Sequence, residues 1–161
     1  MSAVPDSSPP EVLIRDMGPD DVRLVADLEH QSYAYPWSEG IFRDCLRAGY
    51  YCCVAEIDDI VIGYAIMSTG AGEAHVLNLC VAEQYRFRGI GSRLLEHMLE
   101  FAGSLGVEDV FLEVRPSNTV AIRLYQARGF SQIGVRRGYY QAAGGREDAV
   151  VLRKVLAKRR R

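Results

Sequence analysis

The feature that most constrains this chain is a change of period around one loop. An apolar, strand-like run, Ala74 to Val81, passes through a polar turn into Arg86-Phe87-Arg88-Gly89-Ile90-Gly91-Ser92. From Gly89 to Leu105, Ile90, Leu94, Met98, Ala102 and Leu105 recur at helical spacing. Two glycines let the backbone approach a ligand closely and take angles that other residues resist. The first N–H groups of a helix lack partners and its dipole favours negative charge, so the loop suits a pyrophosphate, with Arg86, Arg88 and Arg93 adding positive charge nearby. No G-K-[ST] follows, so this is not a P-loop, and the first glycine of a dinucleotide fingerprint is missing. Taken alone, R-x-x-G-x-G also fits a plain strand-to-helix connection.

The rest of the pattern predicts a mixed α/β sheet with helices on both faces, in the order β-α-α-β-β-β-α-β-α-β-β. Val12 to Arg15 reads as a short strand, and Pro19-Asp20 opens a helix carrying Val22, Val25, Ala26 and Leu28. Ser38 is placed to cap a second helix with Ile41, Phe42, Cys45 and Leu46 on one face and Gly49 past its end. Tyr50–Ile57 and Ile60–Ser68 flank the turn-prone Asp58-Asp59 as a hairpin. A strand is expected over Asp109–Val114, then a helix capped by Ser117 or Asn118 and ending near Gly129. Two last strands follow, about Phe130–Arg137 and Ala149–Val155.

Composition fits one soluble domain over residues 11–157, with 48% hydrophobic and 25% charged residues and no apolar run long enough to span a membrane. Residues 1–10, rich in Ser and Pro without a basic-then-apolar signal, are expected to form a disordered lead, and the compartment is expected to be the cytoplasm. The four cysteines form no C-x-x-C pair; they read as small reduced core residues, and no metal is called for. The net charge of −2 demands no nucleic acid. Residues 158–161 form a basic tail; without it 15 basic residues face 21 acidic ones. An acidic body would favour a cationic substrate, and a solvated tail on an ordinary domain accounts for the same charges.

Downstream of the loop come Glu113-Val114-Arg115-Pro116-Ser117-Asn118, Ala121-Ile122-Arg123-Leu124-Tyr125, Gly129-Phe130, Arg137-Gly138-Tyr139-Tyr140 and Gly145-Arg146-Glu147-Asp148-Ala149. In this order the chain resembles the GNAT superfamily of N-acetyltransferases, over nearly the whole domain and most specifically from Asn78 to Asp148. The closer resemblance is to its bacterial ribosomal-protein-alanine N-acetyltransferases. It implies that acetyl-CoA is the cosubstrate, with Leu79, Cys80 and Val81 offering backbone groups to the pantetheine arm where a bulge splays two strands. Phe87, Arg88, Gly89, Ile90, Gly91 and Ser92 would hold the pyrophosphate, and Asn118 would lie near the reacting centre. Glu113 matches the family's general base and Tyr125 its general acid. Glu73 and His75 compete for the base role. Tyr139 and Tyr140 match a pair that binds substrate backbone in related N-terminal acetyltransferases, and Tyr35-Pro36-Trp37 would face them across a peptide slot. The implied partner is the N-terminal alanine of the eighteenth small-subunit ribosomal protein, a basic segment.

The chemistry agrees with a carboxylate and a phenol. The attacking amine must lose a proton and the departing thiolate must gain one, with no covalent intermediate required. At pH 7 roughly a tenth of a free α-amine is already neutral, against about four parts in ten thousand of a lysine side chain. Deprotonation therefore costs about 1.1 kcal/mol for the first and about 4.6 kcal/mol for the second, so an α-amine asks less of Glu113. A GNAT enzyme acting on lysine side chains or a small amine, and a non-catalytic CoA-binding module, are the alternatives.

Overall fold

The computed structural model describes residues 11–156. The expected lead, residues 1–10, and the basic tail, residues 158–161, lie outside the described residues. The elements follow as β1 (Leu13–Asp16), α1 (Val22–Ser32), α2 (Glu39–Arg47), β2 (Tyr51–Ile57), β3 (Ile60–Gly70), β4 (Glu73–Val81), α3 (Ile90–Ser104), β5 (Asp109–Val114), α4 (Thr119–Ala127), β6 (Ser131–Ala142) and β7 (Gly145–Val155). Pro19–Asp21 forms a single 3-10 turn ahead of α1. Ser38 caps α2, its Oγ accepting from Ile41 N–H at 3.3 Å. The β2–β3 turn works because Asp58 and Asp59 both take positive φ, 50° and 64°, which suits a two-residue hairpin and which Asp tolerates better than most residues.

The strands form one seven-stranded sheet in the order β1-β2-β3-β4-β5-β7-β6, antiparallel throughout except for the parallel β4–β5 pair. Helices cover both faces. Leu94, Leu95 and Met98 of α3 and Tyr125 of α4 pack with Val76, Val110 and Leu112, whereas Val22, Val25 and Phe42 of α1 and α2 pack with Val54, Tyr64 and Cys80. All four cysteines are buried free thiols. Among the described residues no helix is long and apolar enough to cross a membrane.

The functional consequence of the topology lies between β4 and β5. They pair only from Glu73↔Asp109 to Val76↔Leu112. On the opposite edge, Met67 of β3 pairs with Val76 but Ile66 pairs with Asn78, so Leu77 is an extra residue that bends β4. Leu77–Val81 therefore keep β3 on one side and have no strand on the other.

Two expectations need correction. The last hairpin is longer than the expected Phe130–Arg137 and Ala149–Val155. Arg136 pairs with Ala149 and Tyr140 with Glu147, so residues 137–139 bulge opposite Asp148 and pairing resumes beyond them. Gly138 takes φ +60° there and its N–H donates to Asp148 Oδ1 at 2.8 Å, which carries the ladder across a glycine that reads as a break. Leu105, expected on the apolar face of α3, instead lies just past the helix end and is exposed.

Candidate active site

The gap between β4 and β5 opens into a cleft of about 510 Å³. Tyr35, Trp37, Leu79, Glu113, Asn118, Tyr125 and Tyr140 all line it, so residues from five separate stretches of sequence converge. Cys80, Val81, Phe87–Ser92 and Tyr139 lie outside its wall. Glu29, Tyr33, Arg115 and Glu147 also reach it, none of which the sequence had given a role.

Glu113 sits on β5 one residue beyond the last β4–β5 pair, which turns its side chain towards the gap. Its Oε2 is hydrogen-bonded to His75 Nε2, and its Oε1 accepts from Arg136 Nη1 at 3.4 Å. Burial works to raise its carboxyl pKa, but the hydrogen bonds and charges of His75 and Arg136 together hold it below the ordinary value. The group is therefore an anion at neutral pH. Tyr125, on α4, is packed edge-on against Phe130, and burial pushes its phenol up to about 12. It is neutral at any physiological pH.

The cradle at the start of α3 has the features that hold an anion. Gly89 takes φ +78° in the left-handed region, no side chain caps the helix, and the first helical bond closed is Arg93 N–H to Gly89 O. Among the described residues the N–H groups of Ile90, Gly91 and Ser92 have no hydrogen-bond partner, and they sit at the positive end of a 15-residue helix. Phe87 takes φ +64°, unusual for an aromatic, and is 88% exposed. The arginines are less available than their spacing implies. Arg86 Nε donates to Val81 O at 3.0 Å, Arg93 Nη2 donates to Val12 O at 3.2 Å, and Arg88 lies over the Tyr85 ring. Gly91 serves packing as well: a Cβ there would meet Leu124 Cδ2 at 3.4 Å, on the inward side of the helix.

The other end of the cleft is held by polar networks. Glu29, 3% exposed, accepts from Trp37 N–H at 2.8 Å, Tyr64 O–H at 2.6 Å and Asn78 Nδ2 at 2.8 Å, tying the α1–α2 loop to β3 and β4. Tyr33 donates its hydroxyl to Leu79 O at 3.3 Å. Arg115 lies over the Tyr140 ring at 4.4 Å and donates to Gln141 O and Glu147, which in turn accepts from Ser117 Oγ at 2.7 Å. Tyr139 packs edge-on against Tyr140 and under Arg136. Asn118 accepts from Ala121 N–H at 3.2 Å, so its side chain caps α4 while bordering the cleft. Buried carboxylates bonded by several donors leave no distinctive sequence signature; a lone Glu on the apolar face of α1 was the only available hint of Glu29.

The sequence profile of the Acetyltransferase (GNAT) family matches residues 22–130. This chain belongs to that family. The ribosomal protein bS18-alanine N-acetyltransferase of Salmonella typhimurium is 36% identical over 132 residues, covering 82% of this chain and 89% of that protein. The crystal structure of the ribosomal-protein-S18-alanine N-acetyltransferase from Escherichia coli superposes with a TM-score of 0.87 at 31% identity, covering 92% of this chain and 96% of that one. Ard1 from Thermoplasma volcanium superposes at 0.83 with 25% identity, covering 91% and 99%. As a GNAT enzyme the chain is an N-acetyltransferase.

Proposed function

We propose that this enzyme transfers acetyl from acetyl-CoA to the N-terminal α-amine of a protein, and that its acceptor is the N-terminal alanine of ribosomal protein bS18. The observation that carries the mechanism is the meeting of Glu113 and Tyr125 in one cleft, one anionic and one neutral at the same pH. The names of the relatives support the acceptor, and the aromatic wall of Tyr35, Trp37 and Tyr140 supports an extended peptide in the cleft.

The free N–H groups of α3 and the unpaired edge of Leu79–Val81 suit the pyrophosphate and pantetheine arm. Acetyl-CoA supplies the thioester there. Glu113 accepts the proton that the amine loses as its nitrogen attacks the carbonyl carbon. Held below the ordinary carboxylate range, it is a modest base, which suffices for an α-amine already about one-tenth neutral at pH 7 and serves a lysine poorly. Tyr125 directs its O–H at the leaving sulfur. A phenol near 12 is a weaker acid than an ordinary thiol by about 3.5 units, or about 5 kcal/mol. Tyr125 thus stabilises the developing thiolate as a hydrogen-bond donor while the C–S bond breaks, and the thiolate leaves on CoA to take its proton from solvent.

The test is transfer from acetyl-CoA to an Ala-initiated bS18 peptide, its N-blocked form and polyamines. Acetylation confined to the free N-terminus supports the assignment; transfer to lysines of the blocked peptide or to polyamines overturns it.

A further inference from the structure

The carboxylate of Glu113 is gripped by side chains from two other strands. His75 approaches Oε2 from β4 and Arg136 approaches Oε1 from β6, its guanidinium lying over the Tyr139 ring. Register explains the first contact. His75 is paired with Phe111 of β5, and Glu113 shares that face two residues further on, just past the point where the strands separate. Beyond that point no β4 backbone supports β5, so the Glu113 side chain borders an open cleft. The His75 side chain is 34% exposed against 9% for Glu113, and it does not line the cleft.

We propose that His75 is a positioning residue for the acetyl transfer, holding Glu113 in its proton-accepting pose by donating Nε2–H to Oε2. The proposal rests on Glu113 being the base. An ionised carboxylate offers about four lone-pair sites, so two donors leave acceptor capacity facing the amine. Arg136 is the weaker partner, at 3.4 Å and on an exposed strand. The other charged groups near His75 are Glu73 on its own strand and Asp109 of β5, paired with Arg153 of β7; β3 places Ser68 opposite. Among the described residues, His75 is the β4 side chain hydrogen-bonded to Glu113.

The experiment measures kcat and acceptor KM at saturating acetyl-CoA, with melting temperatures, for wild type, His75→Ala, His75→Gln, Glu113→Gln and the His75→Ala/Glu113→Gln double variant. Misplacing a reacting group by about 1 Å costs up to about 100-fold. His75→Ala should therefore lower kcat by about 10- to 100-fold with acceptor KM within about threefold. His75→Gln, whose amide N–H reaches similarly far, should recover most of that loss. The double variant should be no slower than Glu113→Gln alone, because a positioning residue has nothing left to position. Wild-type kcat in His75→Ala, or a loss that multiplies in full with that of Glu113→Gln, overturns the proposal. If His75→Ala does not fold, His75→Asn replaces it: its shorter amide should be slow where Gln is not, and equal rates for the two refute the role. Full turnover by Glu113→Gln is a separate result that removes the base itself.

Discussion

Replacing Glu29 by alanine strips the acceptor from three donors at once: the buried Tyr64 O–H and the part-buried Trp37 N–H and Asn78 Nδ2. Each stranded donor costs about 1–3 kcal/mol, and the three share one site, so the losses do not simply add. A total of about 3–5 kcal/mol follows, below the roughly 3–9 kcal/mol that three independent losses would give. At about 2–4 °C per kcal/mol for a chain of this size, the midpoint should fall by about 6–20 °C in calorimetry. Glu29→Gln sharpens the reasoning. Tyr64 and Asn78 both bond Oε1, whereas Trp37 N–H bonds Oε2. The amide can keep the first two bonds but must set an NH₂ against Trp37 N–H, at a cost of about 1–3 kcal/mol. Because Trp37 is in the α1–α2 loop that walls the cleft, this variant should also raise acceptor KM more than acetyl-CoA KM. Equal midpoints for wild type and Glu29→Ala would refute the network as a source of stability; an acetyl-CoA KM that rises alone in Glu29→Gln would refute its place on the acceptor side.

Tyr125→Phe keeps the packing on Phe130 and should melt within about 1 kcal/mol of wild type while kcat falls about 10²-fold; equal kcat removes Tyr125 from the chemistry. Gly89→Ala forces φ +78° on a β-carbon, costing about 1–2 kcal/mol, and should raise acetyl-CoA KM. Gly91→Ala meets only ordinary contacts and keeps its N–H, so acetyl-CoA KM should stay within about twofold; a large rise there would show that the cradle needs both glycines. Burial pushes Cys52, Cys53, Tyr51 and Tyr125 each up to about 12. The unfolded chain releases these protons first, so it binds fewer protons than the folded chain above about pH 9, and stability must fall as pH rises from there towards 12. Melting should be insensitive to these groups between pH 7 and about 8.5 and decline steeply beyond; a flat profile to pH 11 would contradict their burial.

The element order was legible because periodicity changes so sharply at Val81–Gly89 and because Ser38, Asn118 and Asp58-Asp59 carry local instructions that tertiary packing did not override. The hairpin's length was not, since Gly138 looks like a terminator until its bulge is seen closing on Asp148. The cleft was half legible. Glu113 and Tyr125 stood out because resemblance gave them roles, and backbone splay then put both on one wall. The arginines' spacing put positive charge near the phosphate loop, and it did not show that Arg86 and Arg93 also donate to the carbonyls of Val81 and Val12. Net charge did not show where the carboxylates sit: Glu29, Glu113 and Glu147 all reach the cleft, each engaged by internal donors.

Under the proposed function, the loop before α3 and the cleft serve one reaction, acetyl transfer to a protein N-terminus. Mass spectrometry of an Ala-initiated bS18 peptide after incubation with the enzyme and acetyl-CoA tests it most directly, with thiol release followed in parallel. The account predicts one acetyl group on the terminal nitrogen, matched by one thiol released, and none on the N-blocked peptide. Acetylation of lysine side chains on the blocked peptide, or thiol release without any acetylated terminus, would contradict it.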